Sequence, residues 1–196
     1  MLYAYGAVRA GAAAPAIPGI DGTPVTVLEA GGLGVAVSEL PAAVEPTPRR
    51  LAEHHGVLME LLRAGGGVVP FRFGNMFGGQ AELQQAIEAR APELRQKLEE
   101  LAGCVEMALQ VLLDTNGQIL SGTDYLRTKQ RQFRTGDELR NRVDDLVKDW
   151  RQEVRSGTLK AACLLPEDRV PELRARLAQL DPRPRISGPW PPSSFV

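Results

Sequence analysis

Gly67-Val68-Val69-Pro70-Phe71-Arg72-Phe73-Gly74-Asn75-Met76-Phe77 is the most apolar and aromatic run before the C-terminus, and it holds three of the chain's five phenylalanines. Val68, Val69, Phe71 and Phe73 suit a strand bracketed by glycines. Pro70 has no N–H for a ladder, so the strand is either an edge or interrupted there. The two-residue repeat puts Phe71 and Phe73 on one face and Arg72 on the other. Arg72 is then either a solvated charge on a core strand or a cation held by a buried carboxylate or a partner.

Outward from this stretch, the N-terminal side begins with a strand over Leu2 to Val8 and a loop over Ala10 to Gly22. Val25 to Ala30 and Leu33 to Ser38 form a hairpin around Gly31-Gly32. Pro41, Pro46 and Pro48 mark a stiff connection. Arg49 to Ala64 is predicted helical, with Leu51, Leu58, Leu61 and Leu62 on one face and Gly65-Gly66-Gly67 ending it. Beyond the aromatic run, Leu83, Ile87, Leu94, Leu98 and Leu101 keep helical phase from Gly79 to Ala102. Pro92 either kinks that helix or starts a second.

Gly103 marks a change. Cys104 to Leu113 is almost continuously apolar, as in a central strand. Thr123 to Arg155 is expected to be helical and broken at Thr135-Gly136, with Leu139, Val143, Leu146, Trp150 and Val154 as its stripe. A strand over Thr158 to Leu165, a short helix marked by Val170, Leu173, Leu177 and Leu180, and a short strand over Arg185 to Ser187 follow. Gly188 to Val196 is expected to be an extended tail with Trp190 and Phe195 as anchors. The elements predict an α+β protein of two modules, 1–102 and 103–187, with 188–196 as the tail.

Composition narrows the function. The 196 residues carry 24% charged side chains and a formal net charge of −1, with no global field for nucleic acid or an acidic membrane. Cys104 and Cys163 form neither a zinc spacing nor a disulfide framework, which points to a reducing cytosol. No secretory signal peptide and no membrane span are expected. His54 and His55 point about 100° apart on a helix and cannot chelate one metal alone. Gly31-Gly32-Leu33-Gly34 is followed by a strand, not by the helix N-terminus that a phosphate loop requires. Arg127, Lys129, Arg131 and Arg134 form a basic run that could grip phosphates, but Asp137 and Glu138 follow at once, as on a solvated face. Glu99-Glu100 and Asp144-Asp145 look like surface charges. No cofactor or metal set is expected. Trp190 and Phe195, among Pro189, Pro191 and Pro192, need cover from their own chain or from a partner.

Several motifs in order resemble the gas vesicle protein F/L family (GvpF/GvpL). They are Tyr3-Ala4-Tyr5-Gly6, Val35-Ala36-Val37-Ser38-Glu39-Leu40-Pro41, His54 with Val57-Leu58, Val69-Pro70-Phe71-Arg72-Phe73-Gly74, Gly122 with Tyr125-Leu126, and Gly188-Pro189-Trp190-Pro191-Pro192-Ser193-Ser194-Phe195-Val196. The resemblance covers nearly the whole chain. It implies a non-enzymatic assembly factor of gas vesicles, the hollow protein shells some prokaryotes use for buoyancy. It also implies binding to the major gas vesicle shell protein and to other gas vesicle accessory proteins, and a location in the cytoplasm at the vesicle, including its gas-facing surface. The implied fold is two α+β modules, the second a modified ferredoxin-like one. Only Ser156-Gly157 separates the expected long helix from the next strand, so the second strand of that module is expected to be missing and its sheet reduced.

Arg72, Phe73, Trp190 and Phe195 are the residues expected at a partner or inter-module contact. Trp190 and Phe195 are expected to fold back near the Phe71/Phe73 strand, the rival being a free tail that meets the partner directly. A different class, a small-molecule-binding or enzymatic α+β domain, would use His54, Arg72 and Glu39 around a pocket. Nucleic-acid binding through Arg127 to Arg134 is a third.

Overall fold

The computed structural model describes residues 1–113, 135–181 and 183–196. They divide into two compact units, Met1–Gly103 together with Pro191–Val196, and Cys104–Trp190. The basic run at Arg127 to Arg134, the Gly122/Tyr125-Leu126 motif and the first half of the helix expected from Thr123 lie outside the described residues.

The first unit is built on β1 (Leu2–Arg9), β2 (Thr26–Ala30) and β3 (Leu33–Glu39). Two short pieces, β4 (Val69–Pro70) and β5 (Met76–Phe77), both pair with β1, giving an antiparallel sheet in the order β2-β3-β1-β4. Gly31 and Gly32 turn the β2–β3 hairpin with φ of 58° and 72°. These are the positive values that a two-residue turn of matching twist requires. A Cβ on Gly31 would also lie 3.1 Å from the Ala91 side chain. The glycines therefore serve a turn packed on a helix.

Helix α1 (Pro48–Arg63) starts at Thr47, whose hydroxyl accepts the Arg50 N–H at 3.3 Å, with Pro48 preset for the first turn. Helix α2 (Gln80–Leu101) is one unbroken helix of 22 residues despite Pro92. Both pack on β1, which is buried on both faces from Leu2 to Val8. Tyr3, Tyr5, Ala36, Val57, Leu58 and Leu61 share the core on the α1 side. Leu51, expected on that face, is instead 45% exposed.

The second unit is a four-stranded antiparallel sheet in the order β7-β8-β6-β9. Its strands are β6 (Cys104–Leu112), β7 (Asp149–Arg155), β8 (Thr158–Pro166) and β9 (Arg185–Trp190). Helix α3 covers 135–143 among the described residues, and α4 spans Val170–Leu177. Arg176 on α4 pairs with Asp145 Oδ1 at 2.5 Å and donates to the Arg142 carbonyl at 3.3 Å, tying α4 to the end of α3.

Two expectations are corrected here. The sheet is not reduced, because Asp149–Arg155 is a strand and not the end of a long helix. Trp150 and Val154 fit a spacing of four, but with Gln152 between them they fit a spacing of two equally well. Ser156 and Gly157 have φ of 50° and 71°, so they close the β7–β8 hairpin as its two-residue turn. The second correction concerns the tail. Gly188, Pro189 and Trp190, expected to begin the extended tail, are instead the end of β9. Glu106 and Ala108 on β6 face Trp190 and Ser187 on β9, so β9 carries an extra residue there. This bulge on an edge strand accommodates the proline that a regular ladder would exclude.

Candidate functional site: an extruded bulge held by a buried polar clamp

The aromatic run does not form one continuous strand. Val69 and Pro70 pair with Ala7 and Gly6, and Met76 and Phe77 pair with Tyr3 and Leu2. Between them, the Phe71 N–H donates to the Tyr5 carbonyl at 2.8 Å and the Ala4 N–H donates to the Asn75 carbonyl at 2.9 Å. Adjacent residues of β1 thus face residues four apart on the other segment. Arg72, Phe73 and Gly74 are extruded from the ladder, with Gly74 at φ 88°.

A buried polar group holds both ends of this bulge. His54 is 7% exposed, and its Nε2 lies 3.2 Å from the Phe71 carbonyl. A carbonyl can only accept, so Nε2 carries the proton and Nδ1 accepts. The donor to Nδ1 is the Tyr3 hydroxyl at 2.8 Å, which in turn accepts the Gly74 N–H at 3.3 Å. His54 thus fixes the entry to the bulge and Tyr3 its exit. Burial pushes the His54 pKa down to about 4 and the Tyr3 pKa up to about 12, so both groups are neutral near pH 7.

Tyr5 extends the system. It accepts the Ile20 N–H at 2.9 Å and lies 3.0 Å from Ser38 Oγ. Ser38 spends its proton on the Pro24 carbonyl at 2.8 Å, so Tyr5 donates to Ser38. The Phe73 ring packs edge-on against Tyr3 and His54, with centroids 5.7 and 5.8 Å away.

Arg72 itself is exposed and forms no ion pair among the described residues. Of the alternatives the sequence left open, a buried carboxylate partner is not found among the described residues. An extruded bulge points its side chain to solvent, where a continuous strand would have pressed it onto a second layer. Phe73 is half-buried beside it. Pro70, Phe71, Arg72 and Phe73 separate two open grooves of about 480 and 320 Å³, and Val196 lines both. Phe195 is 2% exposed and belongs to the same unit. Trp190 lies in the second unit, half-buried on β9, with its Nε1–H donated to Ser187 Oγ at 3.3 Å. Of the four expected contact residues, Arg72 and Phe73 are brought together at one surface.

The small-molecule reading fares differently. His54 and Arg72 do line the smaller groove, but both His54 nitrogens are committed within the core. Glu39 is exposed at the end of β3 and is not among the groove's described lining residues. Cys163 is buried on β8, and burial pushes its thiol up to about 12, with the charge of Glu106 adding to the effect. Such a thiol is a packing group more than a nucleophile. Among the described residues no helix is long and apolar enough to cross a membrane.

Tyr3, Tyr5 and Leu51 were not singled out as site residues from sequence. Tyr3 and Tyr5 share a strand face by parity, and the pairing with His54 follows only once α1 is laid over β1.

The geometry defines a class: a two-unit α+β protein whose buried polar groups shape an exposed cationic and aromatic bulge. Residues 1–156 and 127–196 match the model of the family described as gas vesicle synthesis protein GvpL/GvpF. The chain belongs to that family and so takes part in gas vesicle formation. It is 25% identical to gas vesicle protein L2 of Halobacterium salinarum over 91% of this chain and 83% of that protein. It is also 25% identical to gas vesicle protein F of a Streptomyces species, over 99% of this chain and 98% of that one. The fold is similar to crystal structures of GvpF from Microcystis aeruginosa (TM-score 0.79, 20% identity, 99% of this chain and 98% of that one) and from Anabaena sp. PCC7120 (TM-score 0.80, 19% identity, 99% and 94%).

Proposed function

We propose that this chain is a non-catalytic accessory protein of gas vesicle assembly that binds the major shell protein and other accessory proteins, in the cytoplasm and at the growing vesicle. The observation that carries the reading is Arg72: an exposed guanidinium with no ion pair among the described residues, set beside half-buried Phe73 on a bulge that a buried network holds in shape. Maintaining such a network under a solvent-facing bulge suits a surface that must meet something else. Cationic and aromatic side chains together are the types that commonly dominate protein interfaces. The commitment of both His54 nitrogens supports the non-catalytic part, because it removes this buried base beside the groove from acid–base work.

The test is co-purification of the shell protein with the full chain, compared with Arg72→Glu and Phe73→Ala variants. Wild type should retain the shell protein, and Arg72→Glu should weaken retention roughly tenfold or more. Arg72→Glu should leave the melting curve within about 0.5 kcal/mol of wild type, as a solvent-facing substitution does. Failure of the wild-type chain to retain the shell protein sinks the reading.

A further inference from the structure

The smaller groove, on the outer flank of α1, is an apolar surface without cover. Four large hydrophobic side chains are exposed among the described residues, and two of them, Leu51 at 45% and Val196 at 46%, line this one groove. Leu58, Pro70, Phe71 and Phe73 form the rest of its apolar wall. Leu51 keeps helical phase with the buried Leu58 and Leu61, yet at its own position α1 meets only the open groove.

Charge specifies what belongs there. Arg72 lines this groove and the neighbouring one across the bulge, and no Asp or Glu side chain among the described residues lines either. The other arginine in the neighbouring groove, Arg90, is already paired with Glu93 at 3.1 Å. Arg72 therefore stands as a cation at an apolar surface with no Asp or Glu side chain paired to it among the described residues. Both grooves lie open along the surface. That shape fits a chain segment lying in them better than a small molecule, which a pocket must bury on most sides.

Resting on the interaction reading above, we propose that this groove receives a segment of a partner gas vesicle protein that combines two features. Its apolar side chains fill the space along Leu51, Leu58 and Phe71. An Asp or Glu at the edge of that apolar run pairs with Arg72. The groove removes Leu51 and Val196 from water, and the ion pair sets the register of the segment.

The experiment uses the full chain in cells that form gas vesicles. A photo-crosslinking phenylalanine analogue is placed at position 51, at position 193, which also lines the groove, and at position 112 as an exposed control in the second unit. Crosslinked peptides are identified by mass spectrometry. Positions 51 and 193 should both capture one peptide of a gas vesicle protein in which an acidic residue borders an apolar run. Position 112 should not capture it. Arg72→Glu should cut the yield at both positions about tenfold, while Arg72→Lys should keep most of it.

Capture of a second copy of this chain, of a peptide without an acid, or of nothing at either groove position overturns the proposal. So does a yield indifferent to Arg72→Glu. The two readings fail separately. A captured accessory protein with no shell protein retained by the wild-type chain leaves the groove standing and removes the shell protein as its partner. A shell protein that co-purifies yet never crosslinks at 51 or 193 removes the groove and leaves the shell-protein reading in place.

Discussion

The Tyr3 hydroxyl lies 2.8 Å from His54 Nδ1, and this one bond joins the first strand to the first helix across 51 positions of sequence. Each partner also holds one end of the Arg72 bulge, Tyr3 through the Gly74 N–H and His54 through the Phe71 carbonyl. A buried pair in the core thereby dictates the shape of a surface loop that neither side chain belongs to.

His54 should make stability depend on pH in a definite direction. Burial lowers its folded pKa from the ordinary 6.5 to about 4. Between those values the unfolded chain binds the proton and the folded chain does not, so stability rises with pH across that window and is fully present above it. The contribution is on the order of 3 kcal/mol, taking about 1.4 kcal/mol for each pH unit of displacement. Urea unfolding of wild type and His54→Gln at pH 4.5, 5.5 and 7 isolates it from the carboxylates. The difference between the two proteins should shrink as pH falls; a difference constant with pH would show that His54 does not titrate on unfolding.

Gly157 should resist substitution. At φ 71° it is the second turn residue of the β7–β8 hairpin, and an L side chain there costs roughly 1–2 kcal/mol. Gly157→Ala should lower the urea midpoint and speed amide exchange along Asp149–Arg155 before it does so in β6. Unchanged exchange in β7 would remove the turn's role in holding that edge strand.

Gly6 tests the seating of the bulge. A Cβ there would meet the Val69 carbonyl at 2.7 Å and Leu58 Cδ2 at 3.2 Å. The backbone oxygen cannot swing aside as a side chain can, so β4 must move off β1. Gly6→Ala should destabilise by about 1–3 kcal/mol. It should also weaken shell-protein retention more than its loss of stability explains. A variant that melts like wild type would mean β4 shifts freely and the bulge is not held from this side.

Phe195 should be a large contributor despite lying beside the chain's last residue. It is 2% exposed within the first unit. Phe195→Ala should cost about 3–5 kcal/mol through lost burial and the space left behind, read by thermal melting. Limited proteolysis should then clip the last residues first. A melt unchanged by the substitution, with the tail clipped equally fast in both proteins, would show that the segment is not pinned.

Much of the fold was legible because its signals are local and strong. The Gly31-Gly32 hairpin, the glycine stop after α1 and the leucine phase of α2 each follow from residues within one or two turns of chain. The apolar density of Cys104 to Leu113 marked it as interior, and β6 does lie between β8 and β9. Asp149–Arg155 misled because two apolar residues four apart satisfy both helical and strand periods. Ser156-Gly157, a two-residue hairpin turn, was the signal that should have decided between them. The Arg72 bulge was hidden for another reason. Its existence depends on how two segments register against β1, and nothing between Val68 and Phe77 says that three residues will be left out of the pairing. Leu51 lies in phase with the core, and only the missing cover over the first turns of α1 exposes it.

The return of Pro191–Val196 to the first unit means that residues 104–190 are spliced into a unit whose two parts come from opposite ends of the chain. During synthesis the five strands and two helices of residues 1–103 emerge long before Phe195 does. That core stays open at one site until the second unit has been translated, and the groove beside Leu51 lacks the wall that Ser193 and Val196 supply. Completion of the docking surface is therefore timed by translation. A nascent chain cannot present the finished groove to a partner while it is still being made, and a fragment cut after Gly103 cannot present it at all.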